Sequence, residues 1–379
     1  MKVLLCSDSF KHSMSALEVC KSLAAGLRAE REDLELTLLP LADGGEGTVQ
    51  ALVDATGGKM VETQVHDPLM RTIPAVFGLL GSGQTAVMEM AAASGIEKLA
   101  EHERNPFFAT SYGTGELIRS ALDQGCQRII LGIGGSATID GGAGLLHALG
   151  ARFYDHKKEQ IRPTGEKLND IHHIDISQLD ERLKDTAISI AGDVENPLTG
   201  PNGAAYVYGP QKGARPDDLE ILDRNLESYA RLLQHHTSQN LLAMPGLGAA
   251  GGLALSLLAF SRATLESGFS LVARELNLEK EIRENDLIIT GEGKIDAQTP
   301  YGKTPFGVAR LANQHNKPVI AVAGSLEADH PEVFDLLLPV MEKPMELQSA
   351  LEKGRELIYN AGRRIGQIIR LTDRLPRKD

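Results

Sequence analysis

The chain reads as a two-domain α/β protein, and three observations predict it. Short apolar runs recur at 3–6, 34–39, 128–132, 186–191, 287–290 and 319–323 with helical segments between them, the alternation that builds a parallel sheet. A length of 379 residues, set against about 150 residues per domain, gives two domains or slightly more. Residues 59–90 break the pattern: strand-like pieces are interrupted by Asp67-Pro68, Pro74 and Gly81-Ser82-Gly83, which predicts a second, more antiparallel domain. The boundary falls near residue 65 and the chain returns to the first domain near 285.

The opening residues 1–9 carry a single lysine and a very short apolar run, unlike a signal peptide and like a first strand. Ser15-Ala16-Leu17-Glu18 is a capping box that opens a helix with apolar residues at Ala16, Val19, Leu23 and Leu27. Strand and helix form a βα unit with 7–14 as its loop, and open parallel sheets gather ligands at such loops. The uncharged stretch 241–260 is long enough to cross a membrane but holds Pro245 and Gly246, Gly248, Gly251 and Gly252, so it reads as a loop followed by a buried helix. Residues 345–370 predict one long charged packing helix.

Hydrophobic residues at 42% and charged residues at 24% are those of an ordinary globular protein. A net charge of −12 and a pI near 5.5 argue against a nucleic-acid surface, which must neutralise phosphates with clustered cations. An acidic protein that takes anionic ligands concentrates its cations locally, which singles out Lys11, Lys294 and Lys303. Cys6, Cys20 and Cys126 lack metal-ligand spacing and are odd in number, which points to a reducing, cytoplasmic setting. Nothing in the chain specifies an oligomeric state.

Chemistry concentrates in glycine-rich segments at predicted strand ends. Residues 286–304 carry Gly291, Glu292, Gly293, Lys294, Asp296, Gly302, Lys303 and Thr304: glycine lets backbone N–H groups approach an anion, lysine cancels charge, and an acid holds a hard cation. A P-loop is only half matched, since Ala297 stands where its first glycine belongs and Pro305 follows Thr304. The densest segment is 132–144, where Gly134, Gly135 and Ser136 follow an apolar strand and predict an anion-binding loop. Asp8-Ser9-Phe10-Lys11 follows the first strand, Asp43-Gly44-Gly45-Glu46 precedes a helix, and Ser111-Tyr112-Gly113-Thr114 either binds an anion or caps a helix. Asp193 ends another strand, where a hydroxyl-activating base is expected. The run 246–251 fits a bare dinucleotide pattern, with Glu266 about 20 residues on, but no strand precedes it. His172-His173 lie side by side and point to opposite faces of a strand, so they read as surface residues.

Taken together, D-S-F-K at 8–11, L-A-D-G-G-E-G-T at 41–48, S-Y-G-T-G-E at 111–116, I-G-G-S-A-T at 133–138, D-V-E-N-P-L at 193–198, Q-K-G-A at 211–214, G-A-A-G-G at 248–252 and G-E-G-K-I-D-A-Q-T at 291–299 closely resemble the glycerate kinases of the bacterial glycerate 2-kinase type, nearly end to end. The resemblance implies a flavodoxin-like, three-layer α/β domain built from both chain ends, 1–65 plus 285–379, with a second α/β domain, 66–284, inserted. Residues 105–140 are also eligible for the first domain. It implies transfer of the γ-phosphoryl of ATP, with Mg²⁺, to D-glycerate, giving 2-phosphoglycerate. Phosphorylation at the 3-hydroxyl, or of a related hydroxy acid, stays open, as do a nucleotide-cofactor oxidoreductase and a non-catalytic anion-binding protein. Ile139 stands where that family usually has asparagine.

The reaction needs cations on the phosphates, acids on the metal and a group that orients the attacking hydroxyl. The corresponding expectation is that Gly134, Gly135, Ser136, Lys11, Lys303 and Thr304 bind phosphates, and that Asp296 and Glu292 bind Mg²⁺. Asp8 and Asp43 position substrate, while Asp193 and Lys294 are catalytic. Neither nucleic acid nor membrane is an expected partner.

Overall fold

The computed structural model describes residues 1–45, 47–296, 299, 303–327, 332–372 and 374. Of the residues singled out above, Glu46, Ala297 and Gly302 lie outside the described residues. The chain divides into two compact units, one of Met1–Asp43, Gln50–Thr56 and Gly268–Asp379, the other of Gly44–Val49 and Gly57–Ser267. The seams differ from 65 and 285 for a reason of pairing. The strand Lys59–His66 is hydrogen-bonded to Thr72–Leu79, which holds it in the second unit. The helices Gly268–Glu275 and Leu278–Glu284 pack on the helix Thr304–Gln314, which holds them in the first. Residues 105–140 lie wholly in the second unit, because the strand Arg128–Gly132 pairs with Thr85–Glu89 and Ala187–Ala191.

The sheet of the first unit is parallel throughout. Its strands lie in the order Glu35–Leu38, Lys2–Leu5, Leu287–Ile295, Val319–Leu326, Leu336–Pro339. Numbered along the unit this is 2-1-3-4-5, the flavodoxin-like order, whose direction of winding reverses between its first and third strands. On one face Val3, Leu5, Ile289 and Val322 pack with Val19, Leu23 and Leu27 of the helix Ala16–Glu30 and with Ile358, Ala361 and Ile365 of the helix Gly354–Thr372. On the other, Ile295, Ala321 and Ala323 form a smaller apolar group and the helix Thr304–Gln314 lies against the two central strands. Three layers result.

The expected capping box is present, with Ser15 N donating to Glu18 Oε2 at 3.1 Å and Glu18 N to Ser15 Oγ at 3.4 Å. Gly26 allows the two long helices to touch, since a Cβ there would strike the Tyr359 carbonyl oxygen. The single helix expected over 345–370 is instead two, Leu347–Glu352 and Gly354–Thr372; a Cβ at Gly354 would collide with Ser13 Oγ, so the chain breaks where it must pass close to the 8–14 loop. A second correction concerns the strand that starts at Leu287. It continues through Gly291, Glu292, Gly293 and Lys294 to Ile295, because Val319–Leu326 runs alongside it with Glu292 opposite Ala323 and Lys294 opposite Ser325.

The second unit is built on a mixed sheet in the order Arg262–Glu266, Ala187–Ala191, Arg128–Gly132, Thr85–Glu89, Thr72–Leu79, Lys59–His66. The first four are parallel and the last two antiparallel, as the broken pattern over 59–90 predicts. A small antiparallel sheet of Arg152–Tyr154, Gln160–Ile161 and His173–Asp175 flanks it, and His172 and His173 are exposed there. The stretch 241–260 becomes a short 3₁₀ turn, Leu241–Ala243, and a buried helix, Ala254–Phe260. Among the described residues no helix is long and apolar enough to cross a membrane. All three cysteines are buried and free.

Candidate active site

In the first unit the winding reversal lies between Lys2–Leu5 and Leu287–Ile295, and the carboxyl ends of these strands carry most of the singled-out residues of that unit. Asp8 follows the first strand; its backbone N donates to Gly291 O at 3.0 Å, which ties the loop to the neighbouring strand. Its carboxylate accepts from Ser9 N at 2.6 Å and from Thr304 Oγ1 at 2.6 Å. Thr304 is the first residue of its helix, with Pro305 in the first turn, where a missing N–H costs nothing. Lys303 Nζ lies 3.4 Å from Glu292 Oε2 and 3.4 Å from Asp296 Oδ1. Lys294 Nζ pairs with Asp296 Oδ2 at 3.2 Å and Glu327 Oε1 at 2.6 Å. Thr299 Oγ1 accepts from Asp296 N at 3.0 Å and donates to Glu292 Oε1 at 3.3 Å. Lys11 and Asp43 line the same cavity as Asp8, Glu292, Lys294 and Lys303.

Acids outnumber the lysines in this group, and burial first, their mutual repulsion second, sets their protonation. Burial, then the charge of Asp43, pushes the Asp8 carboxyl up to about 6, against the lowering effect of the Thr304 and Ser9 hydrogen bonds. Burial likewise pushes Glu292 up to about 7, with Asp8 adding to the rise and Lys303 opposing it. Lys294 moves above the usual lysine range through its hydrogen bonds to Glu327 and Asp296. A cluster of oxygen donors whose charges repel one another is relieved by a hard divalent cation, and Glu292 and Asp296, both within 3.4 Å of Lys303 Nζ, are oxygen donors of that kind. Among the described residues no group of three or more metal-ligating side chains is already gathered in metal geometry.

In the second unit the loop after Arg128–Gly132 carries Gly134, Gly135 and Ser136. Its outer edge is pinned to the turn 94–96, with Ile96 N donating to Gly135 O at 2.8 Å and Ala137 N to Ser94 O at 3.0 Å. Gly135 has φ of +71° and Gly134 has open space where a Cβ would be. Among the described residues the N–H groups of Gly134, Gly135 and Ser136 donate to no protein acceptor, which leaves successive amides for an anion. Ala191 pairs with Gly132 in parallel register, so Asp193 stands at the same edge of the sheet, two residues past its strand as Gly134 is past its own.

Beneath this loop lies a residue that sequence reasoning left without a role. Lys212 is 2% exposed, and its Nζ donates to Ser136 Oγ at 2.6 Å and to Thr138 O at 2.9 Å. Burial lowers its pKa from 10.5 to about 7, with Asp140 pulling it back up. The signal available was the Q-K-G-A motif, a lysine bracketed by Gly209-Pro210 and Gly213. Asp140, fully buried, accepts from Ser111 N at 2.7 Å, Ser111 Oγ at 2.8 Å, Gly142 N at 3.1 Å and Gly144 N at 3.3 Å. Of the two readings of 111–116, Ser111 thus serves the interior. Ile139 is fully buried in the apolar core, so its side chain offers the loop no polar group.

The glycines at 246–252 have a packing explanation. A 3₁₀ turn precedes them, Gly248 N donates to Asn196 O at 2.9 Å and Gly251 O accepts from Gly141 N at 3.0 Å. They brace the Asp193 loop, which Tyr208 also holds through its hydroxyl to Asn196 Oδ1 at 2.7 Å.

Comparison with known proteins agrees with this architecture. Residues 3–370 match the model of the glycerate kinase family. The chain is 45% identical over 375 residues to a glycerate kinase of Bacillus subtilis (strain 168), covering 98% of both chains. It is also 45% identical over 369 residues to a glycerate 2-kinase of Escherichia coli (strain K12), covering 96% of this chain and 97% of that one. A solved structure from Salmonella typhimurium LT2, assigned as glycerate kinase 2, superimposes with a TM-score of 0.92 at 45% identity, covering 99% of this chain and 100% of that one. The flavodoxin-like strand order, the acid and lysine cluster at its winding reversal and these full-length likenesses agree, and the chain belongs to the glycerate kinase family.

Proposed function

We propose that this chain transfers the γ-phosphoryl group of ATP to D-glycerate, giving 2-phosphoglycerate and ADP. The observation that carries the reading is the set of charged side chains at the winding reversal of the flavodoxin-like sheet, where Lys303 lies 3.4 Å from both Glu292 and Asp296 and Thr304 donates to Asp8. Phosphoryl transfer asks a protein for positioning and charge compensation rather than covalent chemistry.

On the first unit, Lys11, Lys303 and Thr304 contact phosphate oxygens and Lys294 offsets the charge that grows as the phosphoryl group leaves. Glu292 and Asp296 hold Mg²⁺, and Asp8 and Asp43 orient substrate hydroxyls. A cation held by these carboxylates would supply charge neutralisation to the phosphates. On the second unit, Gly134, Gly135 and Ser136 offer unpaired amides to a phosphate, and Lys212 fixes Ser136 from below. Asp193 orients the glycerate hydroxyl and accepts its proton.

The test is phosphorus NMR of the product formed from ATP, Mg²⁺ and D-glycerate. A resonance coupled to the C2 proton is expected. A product phosphorylated at C3 would overturn the regiochemistry, and absence of glycerate-dependent ADP release would overturn the kinase reading.

A further inference from the structure

The cavity of the first unit has a second half that the charged residues leave unexplained. Its volume is about 630 Å³, within the ~300–1,000 Å³ of small-molecule sites. Its lining holds Asp8, Lys11, Glu292, Lys294 and Lys303 and also an apolar wall of Met341, Met345, Leu347 and Leu351, backed by the core residues Val340 and Ile358. This wall follows the strand Leu336–Pro339, so it stands at the carboxyl edge of the sheet beside the charged group. Ser13 Oγ anchors it by donating to Leu351 O at 2.7 Å.

Two of its members are unusually bare. Met341 is 37% and Leu347 73% exposed, apolar surface that water contacts at a cost of roughly 25 cal/mol per Å². Lys294 and Lys303 are already paired with acids, so a ligand that covers the wall and reaches Lys11 has an apolar, flat body joined to an anionic tail able to share those lysines. Glycerate is polar along its whole length and leaves the wall uncovered. A nucleoside triphosphate has both parts, and methionine side chains adapt readily to an aromatic face.

We propose that the segment 341–351 holds the base and ribose of ATP, with the phosphates running toward Lys11, Lys294 and Lys303. The assignment rests on the phosphotransferase reading and locates its donor on residues outside the glycine-rich segments described above.

Leu347→Asp tests it. Leu347 opens the helix Leu347–Glu352 and is mostly in water, and a carboxylate is favourable in a first helical turn; an unchanged circular dichroism spectrum and melting temperature will confirm the fold. An aspartate against the base should raise the KM for ATP and the Kd for ADP, measured calorimetrically, by about tenfold or more. The KM for glycerate should stay within about twofold, and Leu347→Met should behave as wild type. ADP and ATP affinities within about twofold of wild type in both Leu347→Asp and Met341→Glu would overturn the assignment. The two readings fail separately. Normal glycerate turnover with affinities indifferent to these substitutions removes the nucleoside wall alone. ADP binding that is sensitive to them, without glycerate turnover, supports the wall and removes glycerate as the acceptor.

Discussion

Replacing Lys212 by methionine separates two effects that a buried lysine combines. The side chain is 2% exposed and methionine fills nearly the same volume, so packing is retained. Burial lowers the lysine from 10.5 to about 7. A lysine depressed in the folded state penalises folding at every pH below 10.5, and the penalty is complete below about 7. Raising the pH from 7 to 8.5 therefore relieves it by about 1–2 kcal/mol, because the unfolded chain keeps the proton while the folded chain releases it. The window stops at 8.5, since burial raises the Cys6 and Cys20 thiols and their unfolded-state ionisation would oppose the trend above it. Urea unfolding at pH 7 and 8.5 should show wild type gaining about 1–2 kcal/mol more than Lys212→Met across the interval. The variant leaves Ser136 Oγ and Thr138 O short of a donor, a loss of about 1–3 kcal/mol, yet it also removes the desolvation cost, so its stability at pH 7 should equal or exceed that of wild type. It should still lose phosphate-ligand affinity. Identical pH slopes in the two proteins would refute the buried, easily deprotonated lysine on which this reasoning stands.

Three further outcomes are expected. Asp193→Asn should lower kcat by about 10²–10⁴ with the KM for ATP nearly unchanged, measured by ADP release; near-wild-type turnover would remove Asp193 from proton transfer. With Glu292 protonated below about 7, kcat/KM at limiting Mg²⁺ should climb as pH rises through that value, and Glu292→Gln should flatten the profile and raise the Mg²⁺ concentration needed for half-maximal rate. Ser15→Ala should destabilise the chain by about 1 kcal/mol by breaking the capping box, read from chemical denaturation, without altering either KM.

The elements that the sequence revealed are those whose signals are local. The capping box at Ser15, the apolar runs that became parallel strands and the antiparallel break over 59–90 each depend on residues a few positions apart. The candidate residues of the first unit were legible because charge and glycine cluster at strand ends, and the structure gathers Asp8, Glu292, Asp296, Lys303 and Thr304. What stayed hidden depends on neighbours distant in the chain. Gly291 and Gly293 look like a turn until Val319–Leu326 is laid beside them, Lys212 is unremarkable until Ser136 comes to its Nζ, and Ser111 offers a ligand or a cap until Asp140 claims it. The apolar wall at 341–351 was missed because exposed Met341 and Leu347 are indistinguishable, residue by residue, from core.

Since Glu292 and Lys294 belong to a strand rather than to a loop, the reading frame of this segment is quantised in steps of two. A single-residue insertion or deletion there would rotate both ionised groups away and turn Gly293 and Ile295 outward. Length variation engineered into this segment is therefore tolerable only in even increments, a constraint that a flexible turn bearing the same residues would not impose.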